Sequence, residues 1–256
     1  MRATPKRDGS RWASRAVQAG FVITLVGTWY IATNYGRISS ILLPNPVAVF
    51  HELTDVLSTG EFIEDLRVTL TELLVAFLIS STLGIMLGYL ISRSQYSIRV
   101  FEPLFAGIYS VPMILFLPLY ILFFGLGPPS KIAIGTTISF FPIILNTIAG
   151  FGYVERIFIL SARSMGASEF QLFRCVLLPA AFPVILTGLR IGFTVALLSI
   201  LGSETIASLS GLGHRIVQLA EGLDMARMFA YIAFVVAIAL ILNTVTSSLE
   251  VRARRR

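Results

Sequence analysis

The chain has 256 residues, of which 55% are hydrophobic and only 13% are charged, and its formal net charge at pH 7 is +6. A water-soluble domain of this length has no core large enough for so much apolar surface, so the composition excludes a soluble protein. It predicts an all-α, polytopic membrane protein. The single cysteine, Cys175, excludes a disulfide framework within the chain.

Six apolar runs are long enough to cross a bilayer. A helix needs about 20 apolar residues to span the hydrocarbon core, where lipid offers no partner to an unpaired backbone group. The runs are bounded by charged residues, Pro or Gly and lie at residues 16–35, 68–91, 100–124, 132–150, 182–201 and 229–249. The sequence therefore predicts six transmembrane helices in one domain, residues 16–251, between basic tails at residues 1–15 and 252–256.

Charge asymmetry predicts the orientation of these helices. Both tails are rich in arginine, and basic residues close to a span are retained in the cytoplasm. We therefore expect both termini to be cytoplasmic in the inner (plasma) membrane, with residues 155–180 on the same side. The acidic residues between 52 and 65 then fall on the outer side. The positive charge of the chain thus reflects membrane orientation, and no nucleic-acid binding is expected.

Two features near the outer end of the first run are informative: a pair of aromatic residues and the polar stretch that follows. Trp29 and Tyr30 are typical of aromatic anchors at the membrane interface, which indicates a retained first span rather than a cleaved signal peptide. Residues 44–66 carry apolar side chains at helical spacing. They predict an amphipathic helix along the outer surface, or alternatively a solvated connector.

The third run is rich in proline. Pro103, Pro112 and Pro118 each remove a backbone hydrogen-bond donor and favour a bend. Bent helices can line a pathway or can simply pack well, and both interpretations stay open. In the second run, Gly84 and Gly88 are spaced for close contact with another helix.

Several residues are candidates for a translocation pathway; the alternative is a structural pairing for Glu204 and a place at the dimer interface for the others. Glu204 lies near the outer end of the fifth run, where burial of its charge requires water or a partner such as Arg215 or Arg227. The other candidates lie beside a proline or carry a polar group within an apolar run: Tyr109, Met113 and Asn146.

Signatures of catalysis are absent from the sequence. It contains no phosphate-binding GxxxxGK[ST] loop and no serine nucleophile elbow. His51 and His214 have no carboxylate or cysteine at metal-ligand spacing. We therefore expect no enzyme activity, no metal site and no bound cofactor in this chain.

A polar island interrupts the apolar pattern at residues 160–190. Residues 157–165 predict a short helix ending at Gly166, and Ser168 is placed to cap a second helix with Glu169 in its first turn. Phe170, Phe173 and Val176 share one face at helical spacing, and Pro179 is expected to end this helix. The island predicts either a docking site for a soluble partner or an interfacial loop with its phenylalanines among lipid headgroups.

The same island resembles the EAA loop of permease subunits of ATP-binding-cassette importers. The resemblance lies in Gly166-Ala167-Ser168, followed at a set interval by Leu177-Leu178-Pro179. The nearest subgroup imports nitrate, sulfonates, taurine, pyrimidine precursors of thiamine and related small molecules. It is indicated by Leu43-Pro44-Asn45-Pro46, Leu117-Pro118-Leu119, Phe124-Gly125-Leu126-Gly127, Asn146-Thr147-Ile148-Ala149-Gly150 and Ser210-Gly211-Leu212-Gly213.

The resemblance implies a mechanism of alternating access. Two copies of the chain would surround a central pathway for a small solute that a soluble extracytoplasmic binding protein delivers. Each copy would dock on a cytoplasmic ATPase subunit, which holds ATP and magnesium. The coupling loop implied by the resemblance contains Ser161, Ala162, Arg163, Gly166, Ala167, Ser168, Glu169, Phe170, Phe173, Arg174 and Pro179.

The island departs from the family pattern at one position. Leu160 stands where the family has the acidic residue of its Glu-Ala-Ala sequence, so the polar contacts with the ATPase are expected to differ. Two other classes of function stay open: an ATPase-independent transporter or channel, and a structural membrane subunit of an enzyme complex. The first would favour an internal repeat and mid-span charges. The second has no need for a docking loop.

Overall fold

A computed structural model describes residues 9–36, 39 and 42–254, and all regular elements among these residues are helical. Residues 1–8 and 255–256 of the predicted basic tails lie outside the described residues. The helices are α1 (Gly9–Tyr35), α2 (Pro46–Val56), α3 (Gly60–Ser92), α4 (Gln95–Tyr109), α5 (Leu117–Phe124), α6 (Pro128–Gly152), α7 (Arg156–Ser164), α8 (Glu169–Leu172), α9 (Leu178–Ile206), α10 (Leu212–Glu221) and α11 (Met225–Arg254).

Five of the described helical stretches are long and apolar enough to cross a membrane, and a bent pair makes a sixth when it counts as one span. This agrees with the six spans and the all-α class predicted from the sequence. The boundary of the second span differs, because α3 begins at Gly60 rather than near residue 68. The residues of α3 before position 68 are largely polar but still helical. They extend the helix beyond the apolar run, because a helix outside the lipid does not need apolar side chains.

The bent pair is the proline-rich third run. Here α4 ends at Tyr109, a turn of 3₁₀-helix covers Met113–Phe116, and the segment Met113–Phe124 is bent from α4 by 73°. Pro112 lies at the break and Pro118 lies in the first turn of α5. Proline is tolerated in a first turn because its missing N–H has no partner there in any case. The predicted bend is therefore confirmed.

Contacts divide the chain into two compact units. One contains Met1–Thr59 and Gln218–Phe234, and the other contains Gly60–Val217 and Val235–Arg256. In the first unit, the Asn45 side chain caps α2 by accepting from the Val47 N–H at 2.9 Å. The amphipathic helix predicted within residues 44–66 is thus present as α2, with Val49 and Val56 buried.

Trp29 has a specific partner in the first unit. Its indole N–H donates to the Pro44 carbonyl at 3.1 Å, and its ring lies 5.9 Å from that of Phe229. Buried or half-buried tryptophan commonly satisfies its N–H in this way. Trp29 therefore makes contacts inside the first unit, in addition to the role at the membrane interface that the sequence predicts.

In the second unit, α6 lies against both α3 and α9. Gly84 and Gly88 of α3 permit this contact: a Cβ atom at Gly88 would lie 2.7 Å from the Cβ of Thr147 on α6. One core cluster joins α3 to α9 and is formed by Leu73, Ala76, Ala196, Leu197 and Ile200. The close contact predicted for the two glycines is confirmed.

We expect a leucine in place of Gly88 to destabilise this contact by about 1–3 kcal/mol, because overpacking forces α3 away from α6. Gly107→Leu is the matched control, because no atom lies within 4 Å of a Cβ at that exposed helical glycine. Thermal unfolding of the two purified variants in detergent measures the difference. Equal stability of the two variants would contradict the close packing of α3 on α6.

Candidate functional site

The polar island forms two helices joined by a sharp turn at Gly166. Gly166 has a φ of +79°, the left-handed conformation in which a residue without Cβ is favoured. The N–H groups of Gly166 and Ala167 donate to the carbonyls of Arg163 and Ala162 at 3.0 and 3.1 Å, which closes the end of α7. This pair of bonds is the Schellman arrangement of a helix C-terminus. The predicted turn at Gly166 is therefore present.

A capping box starts the second helix. Ser168 accepts from the Gln171 N–H at 3.3 Å, and Gln171 Oε1 accepts from the Ser168 N–H at 2.8 Å. Across the turn, Arg163 and Glu169 form an exposed ion pair at 2.9 Å. Exposed pairs of this kind contribute little stability, but the two charges beside the turn neutralise each other within the chain itself.

Pro179 does not end the helix that Ser168 starts, so that prediction is wrong. The helix continues through a π-helical segment, Phe173–Leu177, into α9 and reaches Ile206. In this segment the Leu178 N–H donates to the Phe173 carbonyl, one residue further back than in an α-helix. Pro179 lies at the start of α9, where the wider turn accommodates a residue without an N–H.

The loop exposes large apolar side chains. More than half of the surface is exposed for Ile157, Phe158, Leu160, Met165 and Phe170. Of the coupling-loop residues predicted from the sequence, one is buried (Ala162), two are half-buried (Ala167 and Phe173), and the others are exposed (Ser161, Arg163, Gly166, Ser168, Glu169, Phe170, Arg174 and Pro179).

Phe173 does not share an exposed face with Phe170, contrary to the sequence-based expectation. Its ring lies 5.0 Å from that of Tyr89 on α3 and 6.1 Å from that of Phe151 on α6. Aromatic pairs at such distances are favourable contacts. Phe173 therefore connects the exposed loop directly to two helices of the bundle.

The pathway candidates lie at different places in the second unit. Met113 lines an apolar groove of about 510 Å³ beside the break between α4 and α5. Tyr109 lies nearby, and its ring is 6.0 Å from that of Phe141. Asn146 donates to the Pro142 carbonyl at 2.8 Å and lies where Gly188 brings α9 close to α6. Their role in a pathway stays a prediction.

Glu204 is buried at the opposite end of α9 from the loop. Its Oε1 accepts from the Thr69 hydroxyl at 2.7 Å, and its Oε2 accepts from the Gly213 N–H at 2.7 Å. Thr69 accepts in turn from the Leu212 N–H at 2.9 Å. The carboxylate thus binds the segment after α9 to α3, and the expected partners Arg215 and Arg227 bind elsewhere.

The arginines pair with other acidic residues. Arg215 donates to Asp65 at 2.8 Å and lies 3.4 Å from Glu61, whereas Arg227 donates to Glu52 at 3.1 Å. Of the alternatives open for Glu204, the structure shows a partner, but the partner is Thr69 and the Gly213 N–H and not an arginine. The backbone N–H groups of the Gly-Leu-Gly segment take the place of a cation, because two of them lie within reach of Glu204 and Thr69.

Glycine is required in that segment. Gly211 has a φ of +105°, and a Cβ atom there would overlap the Glu204 carboxylate. A Cβ at Gly213 would lie 2.6 Å from the Leu201 carbonyl oxygen. The Ser210-Gly211-Leu212-Gly213 sequence therefore has a structural cause, which is the approach of backbone N–H groups to a buried carboxylate.

Two more buried charges complete what we call the polar cluster, formed by Asp65, Thr69, Glu72, Lys131, Glu204 and Arg215. Lys131 is fully buried at the start of α6, and its ammonium donates to the Leu126 carbonyl at 2.6 Å and to Ser130 at 3.3 Å. Glu72 is 1% exposed. Within the described residues, no three His, Cys, Asp or Glu side chains are grouped as ligands of a metal ion.

Most of the polar cluster was not singled out from the sequence. Asp65, Thr69 and Glu72 lie on one face of α3 at helical spacing, a signal that was available in the sequence. Glu72 also falls within the second predicted span, where a charged residue favours a functional role. Their partners on α6 and α9 follow from tertiary contacts alone.

Comparisons with known proteins agree with this geometry. The family described as "Binding-protein-dependent transport system inner membrane component" matches residues 80–256. The chain is 31% identical over 250 residues to the taurine transport system permease protein TauC of Escherichia coli K12, covering 94% of this chain and 91% of TauC. It is 27% identical over 250 residues to the putative aliphatic sulfonates transport permease protein SsuC of Bacillus subtilis 168, covering 98% of this chain and 90% of SsuC.

Among solved structures, an inward-facing form of the MetNI methionine ABC transporter has a chain of similar fold. The TM-score is 0.63 at 19% identity, and the match covers 73% of this chain and 93% of that one. At this identity the likeness concerns the fold alone. Together with the family match and the curated relatives, it shows that the chain belongs to the binding-protein-dependent transport system inner membrane component family, as a non-catalytic permease subunit of an ABC importer.

Proposed function

We propose that two copies of this chain form the pathway through which an ABC importer takes up a small sulfonate such as taurine. The relatives TauC and SsuC support this substrate class, because their names specify taurine and aliphatic sulfonates. ATP and magnesium bind to partner ATPase subunits, and a soluble binding protein delivers the solute at the outer face. The sequence of this chain contains no loop of its own for binding nucleotide phosphates.

The observation that carries this proposal is the form of the coupling loop, residues 155–180. Its helix-Gly-helix turn is closed by backbone bonds and a capping box, so the loop holds a defined shape. It exposes Leu160, Met165 and Phe170. Apolar side chains on a polar segment outside the spans are typical of a protein–protein interface. The ATPase subunit is the partner that the family supplies.

The loop also has a route into the bundle. Phe173 packs against Tyr89 of α3 and Phe151 of α6, so displacement of the loop acts on both helices. Coupling between two sites requires an element that both can bias, and a rigid shift of α9 against α3 and α6 is such an element. We propose that closure of the ATPases moves the loop and that α9 transmits the motion toward the polar cluster.

Leu160 gives the docking surface its chemistry. It is exposed on α7 where the family has an acidic residue, and the charges of Arg163 and Glu169 pair with each other. The groove of the ATPase is therefore proposed to be apolar opposite Leu160.

Docking of the loop on a cytoplasmic ATPase also gives the orientation of the chain in the membrane. The loop and both termini then face the cytoplasm, and the polar cluster lies at the outer end of the bundle.

The experiment that tests the function uses the complete transporter in proteoliposomes, reconstituted from this chain, its partner ATPase and its binding protein. We expect uptake of radiolabelled taurine. This uptake should require the ATPase, the binding protein, and ATP on the side of the membrane where the ATPase subunits lie. Unlabelled alkanesulfonate should lower the uptake of labelled taurine by competition. Taurine uptake in the presence of nitrate tests whether an inorganic anion also competes. Uptake that persists without the ATPase would contradict the importer. Absence of competition by any sulfonate would contradict the substrate class.

A further inference from the structure

A cavity of about 340 Å³ lies between α3 and the start of α6. Pro128 lines it from α6, and the other lining residues are at positions 64, 67, 68, 71 and 72 of α3. Residues three or four positions apart lie on the same side of a helix, so these side chains form one continuous wall. The volume is near the lower end of the usual range for small-molecule sites. We call this cavity the charged pocket.

Two opposite charges are exposed in the charged pocket, those of Glu64 and Arg67. Opposite charges three residues apart on a helix commonly pair with each other. Among the described residues, however, neither side chain makes a hydrogen bond or an ion pair. Glu72 also lines the pocket, but it is only 1% exposed. Glu64 and Arg67 are therefore the two charges that the pocket presents to a ligand.

The neighbouring charged groups are engaged elsewhere. Arg215 lies 3.4 Å from Glu61 and donates to Asp65 at 2.8 Å. The Lys131 ammonium donates to the Leu126 carbonyl at 2.6 Å. The pocket thus keeps one carboxylate and one guanidinium for a molecule from outside the chain. A single ligand that pairs with both of them carries a positive and a negative group of its own.

Taurine has this pattern of charge, because at neutral pH it carries a sulfonate and an ammonium group at the two ends of a short carbon chain. The Arg67 guanidinium has N–H donors in a planar fork that binds tetrahedral oxyanions such as phosphate, and a sulfonate offers its oxygens in the same way. The Glu64 carboxylate is an acceptor for the ammonium. Val68 and Pro128 line the same pocket and offer apolar contact to the carbon chain.

We propose that the charged pocket binds the zwitterion of taurine, with the sulfonate on Arg67 and the ammonium on Glu64. This assignment rests on the proposed function and narrows the substrate class to sulfonates that also carry an amino group. A plain alkanesulfonate meets the same arginine, but it leaves the Glu64 carboxylate unpaired and is repelled by it. An unpaired charge in a site disfavours the wrong ligand, so the carboxylate supplies specificity.

Isothermal titration of the purified permease–ATPase complex with taurine, in detergent and without the binding protein, tests the pocket directly. We expect saturable binding by the unsubstituted complex. Arg67→Gln should weaken this binding about 10- to 150-fold, because a hydrogen bond to a charged group is lost. Arg67→Lys keeps the charge without the planar fork, and its affinity should lie between those of the other two proteins.

Glu64→Gln separates the two ends of the ligand. It should weaken the binding of taurine about tenfold and leave the binding of ethanesulfonate equal or tighter, because ethanesulfonate has no ammonium group. Glu61→Gln is the matched control: it removes the same charge one turn away, from a side chain that is 74% exposed and does not line the pocket. This control should bind taurine with unchanged affinity.

Two results would overturn the pocket while the proposed function stands. One is taurine uptake by the complete transporter without measurable binding of taurine to the permease–ATPase complex. The other is unchanged taurine affinity in both Arg67→Gln and Glu64→Gln, even if their uptake falls, since the two residues would then contact the binding protein instead. A complete transporter that takes up no taurine would overturn the proposed function, and the assignment of the pocket with it.

Discussion

Replacement of Gly166 by valine is expected to separate the permease from its ATPase. The residue has a positive φ, and a β-branched side chain is strongly disfavoured there. A strain of about 1–3 kcal/mol corresponds to a loss of about 5- to 150-fold in association if the turn must form for docking. The measurement is the amount of ATPase that co-purifies with the tagged permease, together with ATP-dependent uptake.

The control for this prediction is Gly107→Val. Both glycines have no atom within 4 Å of an added Cβ, but Gly107 lies within α4 at a negative φ. The two variants therefore differ in backbone strain and not in steric overlap. Their thermal midpoints should be similar, because the loop lies outside the packed core. Full co-purification of Gly166→Val with the ATPase would show that docking does not depend on this turn.

Removal of the Glu204 carboxylate should destabilise the permease itself. Glu204→Ala leaves the Thr69 hydroxyl and the Gly213 N–H without their acceptor, and it leaves the buried Lys131 with less compensating charge. Loss of one member of a buried polar network costs about 2–5 kcal/mol. Thermal or denaturant unfolding in detergent measures the loss, and the expected result is a lower midpoint before any test of transport.

Thr205→Ala serves as the neighbouring control. The Thr205 hydroxyl is exposed and donates only to the Gly202 carbonyl of its own helix at 2.8 Å, so its removal should change stability by less than about 0.5 kcal/mol. Equal stability of Glu204→Ala and Thr205→Ala would mean that the segment after α9 is held by its apolar contacts instead.

The sequence predicted local features of the site well. Gly166 and Ser168 act through bonds to residues at most five positions away, so their roles follow from turn and cap chemistry. Gly84 and Gly88 could be assigned to a helix contact from their spacing alone. Pro112 could be assigned to the break in the third span from the sequence, because a missing backbone N–H is a property of the residue itself.

Predictions that depended on distant neighbours were less successful. Pro179 was expected to stop a helix, but a π-helical segment accommodates it, and this segment forms where Phe173 packs against Tyr89 and Phe151. Arg215 and Arg227 were two partners suggested for Glu204, whereas in the structure Arg215 donates to Asp65 instead. Helical periodicity specifies which face a side chain occupies, but it does not specify which residue lies opposite.

The class of this protein, its number of spans and its family could be inferred from the linear chain, because composition, run length and the spacing from Gly166 to Pro179 are local properties. The partners of the buried charges could not be inferred in this way. Asp65, Lys131 and Glu204 come from three different helices, and their contacts depend on how α3, α6 and α9 pack. Such long-range pairings leave no local pattern, since each residue meets its partner only after the bundle has formed.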